Sequence, residues 1–354
     1  MPVIISRFYK REKLELDCEI ITPMFLGNAS QEAELRAAPF KGLLRYWWRV
    51  AEGAQFADHT ELLAAENKLF GSTDEKCGGK SQVTLEVTPL SQMGTKKEAF
   101  PNPGLVSHPE CEKTGRKTNP LNYLAGMGLI HYKNGILHSY FDCGEKFRLG
   151  ITVSNDAESS VHKTIQLISA FGAIGSRSRN GWGCFAWNEE MNVAGLSSKQ
   201  IMDSCDRDYP HCLGHNNKGL LLWRTKEPQP NWMDCMKDLA DIYISIRAGS
   251  PQRGISKLEV NVGNPPERHL LGYPVTNHSI KIGGWGNQGR HGSALRLIVR
   301  KEADGHRGYI LHLPHLFSKK MWPNGKQQQI ENWRKVHAGL DELCRRVAIE
   351  EVRS

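Results

Sequence analysis

Residues Leu14 to Ile21 alternate, with Leu14, Leu16, Cys18 and Ile20 on one side, and predict a half-buried strand. A turn follows from Thr22-Pro23 to Gly27-Asn28, then a polar loop, and Pro39 opens a helix expected over 39–54. On that helix Phe40, Leu43, Leu44, Trp47, Val50 and Ala51 fall on one face, with Lys41, Arg45 and Arg49 in a row on the other. Val83, Leu85 and Val87 alternate, as do Phe147, Leu149, Ile151 and Val153, so strands are predicted over 82–87 and 146–153. The stretch between them, 90–144, is rich in Pro, Gly, Asn and His and is too long for a hairpin turn, so it reads as an insertion. A helix over 159–171, with Val161, Ile165, Ile168 and Phe171 inward, leads through a glycine-rich loop to a short strand over 184–187. The order strand-helix-strand-strand-helix-strand is the ferredoxin-like plan.

Residues 191–217 are polar and irregular and read as a linker. From Lys218 a second unit is expected, 218–354: a strand at GLLLWRTK, a helix over 232–247, strands over 293–300 and 308–313, and a final helix over 326–352. No closing strand and no second glycine loop are evident, so this unit reads as a degenerate copy of the first. The fold expected is α+β, with two ferredoxin-like, RRM-like domains, the first spanning 1–190.

Charge sharpens the picture. The 354 residues hold 46 Lys+Arg against 38 Asp+Glu, a net charge of +8, which suits a polyanionic partner only mildly. Clustering says more. Lys41, Arg45 and Arg49 are spaced i, i+4, i+8, and like charges so placed repel by about a few tenths of a kcal/mol per pair. Such a row makes sense against something anionic, and Trp48 at its border offers a stacking surface. The loop GAIGSRSRNGWG, 172–183, places four glycines and two arginines in 12 residues. Glycines let backbone N–H groups approach a phosphate, and Arg177 and Arg179 add forked donors. It lacks the Gly-Lys-Ser/Thr of a Walker loop and runs from helix into strand, the reverse of a dinucleotide fingerprint, so a nucleotide enzyme is disfavoured. A helix cap with a tight turn is the plainer alternative.

Thr22-Pro23, Gly27, Leu35-Arg36, Lys41-Gly42, Arg45, Trp47, Trp48 and Arg49, together with the 172–183 loop, resemble the RAMP superfamily of CRISPR systems. The branch most similar is the first-numbered RAMP subunit of the type III-B Cmr effector module. His269 to Pro274 and Gly292 to Leu295 are similar to less specific segments of that family. The resemblance implies a noncatalytic RNA-binding subunit of a ribonucleoprotein for antiviral defence. It would cap the complex near the 3′ end of the guide RNA and help hold guide and target RNA. Its partners would be those RNAs and other RAMP subunits, with target cleavage left to other subunits. The RNA-contacting residues expected are Arg36, Lys41, Arg45, Trp48, Arg49, Gly175, Arg177, Arg179, Trp182, His269 and Arg290.

Other readings remain open. RAMP relatives include metal-independent endoribonucleases, and His269 or His291 could serve as the acid–base group of one. Cys205, His211, Cys212 and His215 are zinc-competent types, but their spacing fits no standard finger, and no metal or other cofactor is expected. Trp223, Trp232 and Trp333 read as core; Trp182 and Trp285, in glycine-rich loops, read as stacking candidates; Arg345-Arg346 reads as solvated surface. Nine scattered cysteines with no CxxC pair, no signal-peptide-like start and no membrane-length apolar run point to a reducing cytoplasm and no membrane contact.

Overall fold

The computed structural model describes residues 11–73, 79–131, 133–187, 198–201, 205–259, 267–273, 285, 289–322 and 325–347. Two four-stranded antiparallel sheets organise it. In the first, β1 (Arg11–Ile20), β2 (Val83–Pro89), β3 (Lys146–Ser154) and β4 (Phe185–Ala186) lie in the order β4-β1-β3-β2. Leu14 faces Ile151 and Leu16 faces Leu149 across β1 and β3, so the predicted alternation becomes a shared inner face. Two helices, α1 (Ala37–Glu52) and α4 (Glu158–Phe171), pack together over that face. Trp47 stacks on Phe171 at 5.7 Å, and Phe40 sits between Phe147 and Phe185. The outer face is a ladder of mixed charge. Lys13 pairs with Glu15 at 2.8 Å, and Arg148 pairs with Asp17 at 2.6 Å.

A helix that the sequence reading lacked, α2 (His59–Phe70), follows α1. The Asp58 carboxylate caps it, accepting from the N–H groups of Thr60 and Glu61. Asp58-His-Thr-Glu61 is a capping-box pattern, and that was the available signal.

The second sheet is built from β5 (Leu222–Arg224), β6 (Leu295–Glu302), β7 (Gly305–His312) and β8 (Arg345–Arg346). Read from its β8 end, the order is β8-β5-β7-β6, the same arrangement as the first sheet. Helix α5 (Trp232–Ala248) joins β5 to β6, and α6 (Lys326–Leu343) joins β7 to β8. The closing strand missing from the sequence reading is therefore present. The last helix stops at Leu343, and Arg345 and Arg346 pair with Arg224 and Trp223. Arg346 is not solvated surface: its guanidinium lies 4.0 Å above the Trp223 ring, and burial lowers its pKa.

Part of the expected linker is structured. Ser198–Gln200, Leu213–Asn216 and Gly219–Leu220 form a three-stranded sheet, and Arg207 donates to the Gly53 carbonyl at 3.0 Å at the end of α1.

The 90–144 insertion braces the two sheets against each other. Its short helix α3 (Pro120–Ala125) packs on α5. Phe100 contacts Trp182 of one half and Trp232 of the other at 5.2 and 5.6 Å. Glu110 takes a two-pronged ion pair from Arg268, both contacts at 2.8 Å. The sheet edges also meet directly. Val299 donates its N–H to Cys184 Sγ at 3.3 Å, and Arg300 donates to the Phe185 carbonyl at 3.1 Å. Burial among these groups lowers the Arg300 pKa to about 10.

Candidate nucleic-acid interface

Helix α1 begins at Ala37 and carries its proline in the first turn, where a missing N–H costs nothing. Ala38 and Gly42 are exposed, and nothing stands within 4 Å of where a Gly42 side chain would project. Around this bare strip lie Lys41, Arg45, Arg49 and Tyr46. Partial burial, and then the Arg45 charge, lower the Lys41 pKa. Arg36, exposed just before the helix, donates to the Gly27 carbonyl at 3.0 Å.

The basic row is not without counter-charge. Glu66 of α2, its side chain only 4% exposed, meets Arg45 at 3.1 Å and Arg49 at 2.8 Å. Arg45 also donates to the Gly71 carbonyl and lies 5.5 Å from the Phe70 ring centroid. The repulsion read from the sequence is thus relieved inside the protein. Trp48 does not offer the expected stacking surface: it is buried between Phe56 and Phe70, so it cannot stack on a base.

The glycine loop wraps the Thr-Pro turn. Thr22 Oγ1 donates to the Gly181 carbonyl at 2.7 Å and accepts from the Cys184 N–H at 2.9 Å. The Gly183 N–H donates to the Pro23 carbonyl, and the Ser176 N–H donates to the Phe25 carbonyl. Gly175 has φ +91°, and a Cβ there would stand 2.5 Å from the Phe25 oxygen. Its close approach is made to the protein's own backbone, not to a phosphate. Trp182 is fully buried among Phe25, Phe100 and Trp232, which removes it as a stacking surface. Arg177 is exposed and lies against Gly126. Arg179 reaches across to the second half, where it donates to the Ser293 carbonyl at 3.3 Å. Arg290 is exposed nearby in sequence.

His269 is sealed in the interior against Tyr273 and Trp285, so neither it nor Trp285 offers a surface contact. His291 is buried as well, stacked on Phe317 at 3.7 Å, and burial first, then His315 and Arg179, push its pKa down to about 2. The four zinc-competent residues do not gather. His211 faces Asp206 at 3.2 Å and His215 faces Ser198 at 3.0 Å, while burial lifts the Cys205 and Cys212 thiols to about 12. Among the described residues, the metal-competent trio that comes together is Glu12, Glu158 and His162, at the surface.

Two residues the sequence reading passed over belong to this face. Arg296 lies 4.4 Å above the Tyr46 ring and 5.1 Å from that of Trp47. The signal was an arginine inside the apolar run Leu295-Arg-Leu-Ile-Val299, a placement that demands a special partner.

Lys41, Arg45 and Arg49 thus edge a strip along α1, and Arg296 of the second half, set over Tyr46 of that helix, lies near Arg179 of the glycine loop. Such a strip suits a phosphate chain. Residues 17–186 match the model of the RAMP superfamily. The chain is also similar to Cmr1 subunits of CRISPR Cmr systems. It is 26% identical over 184 residues to subunit Cmr1-2 of Pyrococcus furiosus, covering 47% of this chain and 90% of that one. It is 27% identical over 203 residues to Cmr1-1 of the same organism, covering 54% of this chain and half of that longer relative. In fold it is similar to a chain of the type III-B Cmr-beta complex solved with cognate target RNA. The TM-score is 0.50 at 13% identity, over 94% of this chain and 99% of that one.

Proposed function

We propose that this protein is a noncatalytic RNA-binding subunit of a type III-B CRISPR ribonucleoprotein. It sits with other RAMP subunits near the 3′ end of the guide RNA and helps hold guide and target. Both sheets, with their shared strand order, are read as ferredoxin-like domains, one at 1–190 and one at 218–354. The observation that carries the proposal is the bare strip at Gly42, edged by Lys41 and the outer sides of Arg45 and Arg49. The similarity to Cmr1 subunits supports the same reading. The strip can hold a polyanion, and arginine stays protonated and cannot serve as a base. The outer face of the first sheet, where many RRM-type proteins stack bases, here carries Glu15 and Asp17 and suits RNA poorly. The interior positions of His269 and His291 count against the endoribonuclease alternative. Among the described residues, no helix is long and apolar enough to cross a membrane.

The test is binding of single-stranded RNA across a salt series, with Lys41→Gln and Arg177→Gln. Wild type should show a slope of about −0.7 per neutralised phosphate, and each variant should flatten it. Purified protein should leave RNA intact. Site-specific cleavage abolished by one substitution in this chain would overturn the noncatalytic reading.

A further inference from the structure

We propose that Arg179 and Arg296, brought together from the two halves beside Tyr46, form a binding site for one backbone phosphate of single-stranded RNA. This rests on the RNA-binding reading above and names a contact for it.

Arg296 is 5% exposed. Its guanidinium is held flat over Tyr46 and Trp47, and its Nε–H donates to the Tyr46 hydroxyl at 3.4 Å. Its two terminal nitrogens meet no acceptor among the described residues, yet they are not sealed from solvent. Arg179 arrives from the glycine loop and packs so closely on Gly292 that a Cβ there would stand 1.9 Å from its Nη1. Its only acceptor among the described residues is the Ser293 carbonyl.

Acids are supplied elsewhere in this fold. Arg45 and Arg49 share Glu66, Arg268 has Glu110, and Arg307 has Glu302. Among the described residues, Arg179 and Arg296 have no such partner. Their like charges act on each other: burial first and then Arg296 among the charges lower the Arg179 pKa. Two arginines held together in a partly dry place without a counter-ion are costly to maintain. The rings under Arg296 and the carbonyl on Arg179 fix them in that position all the same. The missing charge is one oxyanion with several lone pairs, for which forked guanidinium donors and a phenol are the matching set.

A phosphodiester is favoured over a protein carboxylate by position. Tyr46 lies one helical turn after Gly42 on α1, a step of roughly 6 Å, comparable to the spacing of successive phosphates along a strand. A backbone lying on the Gly42 strip reaches the arginine pair at its next phosphate.

The test compares full-length wild type, Arg179→Gln, Arg296→Lys and the Arg179→Gln/Arg296→Gln double variant, each checked for folding by circular dichroism. Oligoribonucleotide binding is followed by fluorescence anisotropy over a salt series. Sulfate against chloride at equal ionic strength is followed by thermal shift. The double variant should bind about 10-fold more weakly, with a slope flattened by about 0.7, and should lose the stabilisation by sulfate. Arg296→Lys keeps the charge but not the fork, so it should keep the slope and lose part of the affinity. If the double variant does not fold, Arg179→Gln alone, lacking one donor arm, should still flatten the slope. A folded double variant, or a folded Arg179→Gln, with the wild-type slope overturns the site and leaves the RNA-binding function standing. Sulfate stabilisation lost without any change in RNA binding overturns RNA as the ligand and points to an acidic partner protein. Absence of RNA binding by wild type overturns the functional reading and this contact together.

Discussion

Arg49 Nη1 lies 2.8 Å from Glu66 Oε2, and that carboxylate is almost wholly buried. The relationship recasts the row of charges on α1. Glu66 neutralises one face of Arg45 and Arg49, fixes both forks, and leaves their outer sides, with Lys41, to meet an anion. On the proposed function, a side chain that restrains two others in this way positions an interface without touching the RNA.

Glu66→Gln is expected to destabilise the fold by about 2–3 kcal/mol, because two half-buried guanidiniums lose their shared acid. The same change removes a negative charge beneath the strip, so RNA affinity should rise. Denaturant midpoints and anisotropy on one preparation check both signs. Lower stability with unchanged RNA affinity would mean that Arg45 and Arg49 serve the fold alone.

A second expectation concerns acid. His312 is fully buried, stacked on Trp333 at 3.8 Å, and its Nδ1 meets His337 Nε2 at 2.9 Å. Burial lowers the pKa of His312 well below 6.5 and brings His337 to about 3, His315 to about 4 and His291 to about 2. Unfolding lets all of them protonate near 6.5. Their contribution is therefore intact above that pH and is lost as pH falls from there toward 4, at about 1.4 kcal/mol per pH unit per histidine. Denaturation midpoints at pH 8, 7, 6 and 5 should be flat at first and then fall steeply. A flat profile to pH 5 would contradict the buried neutral histidines.

Much of the fold was legible because its strands alternate and its long helices carry one apolar face. Leu14, Leu16, Phe147 and Leu149 announced β1 and β3, and Phe40, Leu44 and Trp47 announced α1. What sequence could not show was partnership at a distance. Glu66 is 21 residues from Arg45 in sequence, and no local pattern says that it will neutralise the row. Trp48 borders the basic row and Trp182 sits in a glycine-rich loop in sequence, yet tertiary packing buries both. The two-residue strand β8 is too short for any periodicity to register and is defined only by its pairing with Trp223 and Arg224.

The insertion supplies a third expectation. The Arg268 pair, against the cost of burial, holds the Glu110 pKa at about 2. A carboxylate depressed in this way contributes fully above about pH 5, and the contribution is lost as pH falls through the folded value near 2. Solvent screening limits it to about 1–2 kcal/mol. Glu110→Gln should lose that amount at neutral pH and leave Arg268, itself 3% exposed, without its acid. Faster limited proteolysis within 90–144 would report loosening of the brace, and unaltered proteolysis would show that Phe100 and α3 suffice without the ion pair.

Gly183 and Gly42 should respond in opposite ways to alanine, and the contrast separates scaffold from interface. Gly183 has φ +66°, and a Cβ there would stand 2.0 Å from the Ile174 carbonyl oxygen. Gly183→Ala should cost on the order of 3 kcal/mol or more, since both backbone strain and overlap must be relieved. Gly42 lies in the interior of α1 with open space before it. Gly42→Ala should therefore stabilise the helix by about 0.5–1 kcal/mol. The added methyl group would stand where a phosphate chain needs close approach, so RNA affinity should fall although stability rises. Thermal melts paired with anisotropy read this split. A Gly42→Ala protein that is more stable and binds RNA as well as wild type would move the interface away from this strip.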